Sequence, residues 1–146
     1  MNIALLNGPN LNLLGRREPG LYGHTTLPEI ESRLAEVAAE LGVTLQCSQH
    51  NGEGQLVDAI QALDGLADGA IINAGAYSHT SLALRDAFAA VQVPYVEIHL
   101  TNIHAREPER RHSTLAGGAI AMVCGFGAQG YEFALRGLVH SLSTRG

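Results

Sequence analysis

The strongest constraint on this chain is the regular alternation of short apolar runs with longer stretches whose apolar residues recur every three or four positions. Residues 2–6 (NIALL), 43–47 (VTLQC), 69–73 (GAIIN), 94–98 (PYVEI) and 119–124 (AIAMVC) read as five strands. Between the first two, residues 27–41 place Leu27, Ile30, Leu34, Val37, Ala38 and Leu41 on one helical stripe, with Glu29, Glu31, Arg33, Glu36 and Glu40 mostly opposite. Thr26 and Glu29 have capping-box spacing at its start, and Gly42 can close it in the left-handed conformation. The same periodicity predicts helices over 53–66, 79–91 and 128–143.

The strands are apolar almost throughout rather than strictly alternating, as a sheet covered by helices on both faces requires. The expected fold is therefore α/β: a doubly wound, flavodoxin-like three-layer sandwich with a five-stranded parallel sheet. At 146 residues, with 46% hydrophobic and 16% charged, the chain suits one domain with a real core, so 1–146 is read as a single catalytic domain. No apolar run reaches the roughly 20 residues that span a bilayer, and residues 1–6 have no basic segment and no cleavage site. The expectation is a soluble, cytoplasmic protein with no membrane partner.

Charge narrows the function further. The net charge is −5, and all nine basic residues are arginine. Without lysine there is no lysine Schiff base, no lysine-anchored pyridoxal phosphate and no Walker-A loop. An acidic chain with no basic run and 5% aromatics is a poor nucleic-acid binder. Cys47 and Cys124 are isolated, and each is read as a small buried hydrophobe. His79, His99 and His104 lack metal-ligand spacing, and no metal is expected. There is no GxSxG elbow. GFGAQG at 125–130 matches GxGxxG, but it follows the last strand, so its glycines are read as a close turn into the last helix.

In such folds the site lies beyond the carboxyl ends of the strands. After the first strand comes Asn7-Gly8-Pro9-Asn10, then a connection reaching Thr25, far longer than an ordinary βα loop. It reads as a lid over about 15–24, or as a disordered segment, with Gly15, Gly20 and Gly23 as hinges around Arg16, Arg17 and Tyr22. Glu97 and His99, two apart on a strand, share a face. A carboxylate partner raises a histidine's pKa and fixes its tautomer, which suits a general acid; a half-buried ion pair without chemistry is the alternative. A guanidinium beside a phenol favours the phenolate, so Arg16 and Arg17 could make Tyr22 a base, or Tyr22 could simply anchor a surface loop. Asn10, Asn73, His79 and Arg110 would complete a polar pocket, although each asparagine alone also suits a turn and Arg110 alone a solvated helix.

At these positions the sequence resembles the type II 3-dehydroquinate dehydratases (type II dehydroquinases). The segments are NGPNLNLLGRREPGLYG at 7–23, NAGAYSHTSLALRDA at 73–87, VEIHLTNIHARE at 96–107, RRHS at 110–113 and GFGAQGYEFAL at 125–135. The resemblance implies a hydro-lyase that converts 3-dehydroquinate reversibly to 3-dehydroshikimate by anti elimination, without metal, cofactor or Schiff base. Such an enzyme serves the shikimate pathway of aromatic biosynthesis or quinate catabolism. It implies Tyr22 as the base, Arg17 as the group favouring its phenolate and Asn10 as the stabiliser of the enol(ate) through a water. It implies His99 as general acid supported by Glu97, and Asn73, His79 and Arg110 as substrate ligands. Backbone amides of Leu100 and Thr101 would receive the carboxylate, and Arg106 would be a second lid arginine. Asp86, otherwise an ordinary helix-face acid, would reach a neighbouring subunit's site within a dodecamer built as a tetramer of trimers.

Three positions depart from the family pattern. Thr101 stands where serine is common, Glu109 where an aromatic is expected, and Thr114 where tyrosine is common; Glu109 is expected to pair with Arg110 or Arg111. Two other flavodoxin-like classes fit less well. A flavin or nucleotide binder would want hydroxyls after the first strand, where NGPNLN stands, and aromatic residues, whereas tryptophan is absent. A signalling receiver would need aspartate where Asn73 stands and a lysine after the last strand.

Overall fold

In the computed structural model, which describes residues 1–145, the apolar runs form β1 Asn2–Asn7, β2 Thr44–Gln49, β3 Gly69–Asn73, β4 Tyr95–His99 and β5 Ala121–Cys124. All neighbouring pairs are parallel, in the order β2-β1-β3-β4-β5. That order is the flavodoxin-like one, with its switch point between β1 and β3. A one-turn helix α1 Pro19–Tyr22 stands in the long first connection, and α2 Leu27–Leu41, α3 Glu53–Gln61, α4 Leu82–Val91 and α5 Gln129–Thr144 form the outer layers.

Strand pleating sends successive side chains into two separate cores. Ile3 and Leu5 of β1, Ile71 of β3, and Val96 and Ile98 of β4 pack with Ile30, Leu34 and Val37 of α2 and Leu135 and Leu138 of α5. Their strand neighbours Ala4, Leu6, Ala70, Ile72 and Tyr95 pack with Leu56 and Ile60 of α3 and Leu84 and Phe88 of α4. Burial on both faces is why the central strands carry no polar alternation.

The α2 helix has the expected bounds because its caps are local. Thr26 Oγ1 accepts from Glu29 N at 3.3 Å, and Gly42 closes the helix at φ 70°. Two other helices are shorter than periodicity predicts. Ser81 Oγ accepts from Leu84 N at 3.1 Å and starts α4 there, while residues 75–79 coil into a 3-10 turn. Beyond Gln61 the chain tightens through Leu63 N to Ile60 O and Leu66 N to Leu63 O bonds, so residues 62–66 are turn rather than helix.

The cysteine expectation is corrected. Cys47 is exposed and Cys124 half-buried, because β2 and β5 are the two edges of the sheet and lack full cover. Within the long first connection, Gly15 and Gly23 adopt φ 91° and 85° on either side of α1, whereas Gly20 lies inside it. At the opposite end, Gly125 and Gly127, at φ 98° and 62°, turn the chain from β5 into α5.

Candidate active site

The carboxyl ends of β1 and β3 come together because Gly8 has no side chain. A Cβ there would stand 2.5 Å from the Ala74 carbonyl oxygen, and Gly8 N donates to Asn73 O at 2.8 Å. Asn10 follows at φ 70°, its backbone N–H donating to Asn51 Oδ1 at 3.1 Å, so it serves the turn as well as facing the cleft. The cleft is narrow, with a free volume of ≈ 50 Å³. Its walls include Asn10, Arg17 and Tyr22 from the first connection, Asn73 and His79 after β3, and His99, Leu100, Thr101, Arg106 and Arg110 after β4. A larger groove of ≈ 630 Å³ runs along β2 and the end of α3, and it gathers none of these groups.

Tyr22, at the end of α1, is held by two guanidinium groups. Arg17 lies over the ring, its Cζ 4.8 Å from the centroid, and Arg106, at 5.5 Å, also donates from Nη1 to the hydroxyl at 3.1 Å. The hydrogen bond to the phenolic oxygen thus comes from Arg106, while the predicted partner Arg17 stacks on the face. Arg110 lines the cleft, with its Nε 2.5 Å from Glu107 Oε1; Glu107 also lies 3.5 Å from Arg106 Nη2. Glu107 therefore takes the pairing expected of Glu109, because residues 108–110 form a 3-10 turn that stacks residue 107 on residue 110.

Glu97 and His99 occupy one face of β4, as their spacing requires. His99 Nε2–H donates to Glu97 Oε2 at 2.5 Å, which leaves Nδ1 as the other ring nitrogen. Glu97 is completely buried behind His99, and Ser113 Oγ donates to its carboxylate at 2.7 and 2.8 Å. His79 stacks on His99 at 5.9 Å between centroids and donates from Nδ1 to His112 O at 2.8 Å. Burial, the largest influence, lowers the pKa of His79 below its ordinary value, against the opposing bond to His112. A neutral His79 that donates from Nδ1 keeps Nε2 as an acceptor.

Asn7 and Asn73 are register partners on β1 and β3, and both point to the α5 side. There the buried Tyr131 accepts from Asn73 Nδ2 at 2.9 Å and donates to Asn7 Oδ1 at 2.6 Å, while Gly75 N donates to Asn73 Oδ1 at 3.1 Å. The amide of Asn73 is thereby held in one orientation. Ser113, Glu107, Tyr131 and Asn7 were not singled out from sequence; the available hint for Asn7 and Asn73 is an asparagine ending an otherwise apolar strand. Asp86 does not line the cleft and sits exposed on α4. Among the described residues, no three His, Cys, Asp or Glu side chains form a group able to hold a metal ion.

Fold and cleft together define a flavodoxin-like α/β protein with tyrosine, histidine, arginine and asparagine side chains converging at its switch point. Residues 1–139 match the family described as dehydroquinase class II. The chain is 59% identical over 145 residues to the 3-dehydroquinate dehydratase of Gemmatimonas aurantiaca, spanning 99% of this chain and 95% of that protein. It is 57% identical over 142 residues to a 3-dehydroquinate dehydratase of Synechococcus, spanning 97% of each. The crystal structure of a type II dehydroquinase from Propionibacterium acnes superposes with a TM-score of 0.91 at 38% identity, over 95% of this chain and 96% of that one. The chain belongs to the class II dehydroquinase family.

Proposed function

We propose that this chain, acting as one catalytic domain with a lid over about 15–24, dehydrates 3-dehydroquinate to 3-dehydroshikimate by anti elimination through an enol(ate). The observation that carries this reading is one cleft walled by both Tyr22 and a carboxylate-backed His99. Tyr22, ionised beside Arg17 and Arg106, takes a proton from C2. The electron pair moves into the enolate and then expels the C1 hydroxyl, which leaves as water with a proton from His99. One proton enters the residues and one leaves, so transfer from Tyr22 to His99 through solvent restores the starting state. Asn10, through a water, meets the oxyanion, a preorganised contact commonly worth about 3–4 kcal/mol. Asn73, His79 and Arg110 hold the ring hydroxyls and carboxylate, with the amides of Leu100 and Thr101. Closing α1 and its flanks over the cleft excludes water and strengthens these contacts.

The assignment extends to assembly and location. Asp86 and Leu82, four apart on α4, share an exposed face outside the cleft, and Leu82 is 61% exposed. Such a face suits contact with another copy, with Asp86 serving the neighbouring site in a dodecamer of four trimers. Two free thiols fit the reducing cytoplasm.

Adding 3-dehydroquinate and following the ultraviolet absorbance of the conjugated enone tests the reaction. Enone should form at an unchanged rate with EDTA or borohydride present; no enone, or loss of activity with borohydride, would overturn the reading.

A further inference from the structure

We propose that Ser113 is a positioning residue for the Glu97–His99 pair: it donates to Glu97 and cannot do otherwise, so it holds the carboxylate in the form that keeps a proton on His99. The proposal rests on the reading of His99 as general acid. Glu97 is fully buried, and a carboxylate removed from water needs partners to remain ionised. Among the described residues, its side-chain hydrogen bonds come from His99 Nε2 at 2.5 Å and from Ser113 Oγ, at 2.7 Å to Oε1 and 2.8 Å to Oε2.

The orientation of the serine hydroxyl follows by counting. Its oxygen accepts from Leu115 N and from Ala116 N, both at 3.1 Å. A hydroxyl has two lone pairs and one proton. With both lone pairs engaged, the proton has only Glu97 to meet. A serine free to rotate could accept a bond from a protonated carboxyl; this one is barred from doing so. Donation to a carboxylate favours its charged form, and the two backbone donors polarise the hydroxyl and strengthen that donation. The segment bearing Ser113 is itself tied to β4, since Tyr95 OH donates to Leu115 O at 2.5 Å. The donor and the carboxylate are therefore fixed to the same strand.

Other titratable or charged groups surround the pair: His79 stacked at 5.9 Å, Tyr95 on the same face of β4, and Arg110 on the cleft wall. Among the described residues none of them hydrogen-bonds Glu97, so Ser113 is the neutral donor that balances it.

Ser113→Ala, Ser113→Cys, Ser113→Thr and His99→Ala, assayed as the intact protein with 3-dehydroquinate, form the test. Ser113→Ala should lower kcat by about tenfold or more with KM changed less than about twofold. Without the donor the ionised carboxylate is less favoured, so the pair keeps its shared proton longer and the alkaline limb of kcat should move up by about half a pH unit or more. Ser113→Thr should restore both rate and limb. Ser113→Cys, a weaker donor that still fills the turn, should fall between alanine and wild type and guards against an alanine variant that does not fold. A purely structural serine would lower the folded fraction without moving the limb, and that result overturns the proposal. Wild-type kcat in Ser113→Ala beside an inactive His99→Ala overturns the proposal alone; turnover retained in His99→Ala overturns the acid assignment as well.

Discussion

Arg106 Nη1 donates to the hydroxyl of Tyr22 at 3.1 Å, across 84 residues of chain. The tyrosine at the end of α1 is thus joined to the connection that follows β4, while Arg17 covers its ring from within its own connection. The two arginines make different contacts, and their substitutions should differ. Arg17→Lys loses the planar stack and Arg106→Ala the donor to the phenolic oxygen; each should lower kcat by about tenfold or more. Retained turnover in both variants, measured by enone formation, would show that Tyr22 needs neither guanidinium.

Tyr22→Phe removes the proposed base and His99→Ala the proposed acid. Each should cut turnover by at least about 10²-fold, with unchanged circular dichroism and melting behaviour. Near-wild-type rates in either variant reject the role given to that residue.

His79 has its pKa lowered from about 6.5, chiefly by burial. The unfolded chain then binds the proton more readily than the folded one, so His79 contributes stability above about pH 6.5 that is lost as the pH falls. Urea unfolding of wild type and His79→Gln at about pH 7 and 5.5 checks the sign. The wild type should lose more stability on acidification than the variant; parallel losses would refute a neutral, half-buried His79.

Tyr131→Phe keeps the ring in the core but deletes the hydroxyl shared by Asn7 and Asn73. Two buried amide groups lose their partner, at about 1–3 kcal/mol each before relaxation. Urea unfolding should show that loss, and KM should rise because the Asn73 amide is no longer held. An unchanged midpoint and KM would mean that the amides find other partners.

The layers were legible because the cues are local. Leu27 to Leu41 forms one helix as its stripe and caps require, and the five apolar runs became the five strands. The misreadings came where local and tertiary signals part. After Gln61, Leu63 and Leu66 keep a helical spacing that outweighed the turn signal of Asp64-Gly65, and Cys47 reads as a core residue until β2 is seen to lie at the edge. The cleft was partly legible, since Asn73 and His99 end β3 and β4, and Tyr22 lies in the long connection after β1, where this topology gathers its ligands. Their partners were hidden. Ser113 meets Glu97 from 16 residues away, and Tyr131 meets Asn7 and Asn73 from 124 and 58 residues away.

Periodicity and capping act over three or four residues, so the order of strands and helices, the absence of lysine chemistry and the placing of polar groups beyond the strand ends were already written in the chain. Which of those groups touch depends on sheet order and on how loops cross the carboxyl edge. Hydrogen bonds form over about 3 Å between residues that contour length alone leaves unrelated. Folding therefore decided that Arg106 rather than Arg17 bonds the Tyr22 hydroxyl, that Glu107 rather than Glu109 pairs with Arg110, and that a serine stands behind the buried carboxylate.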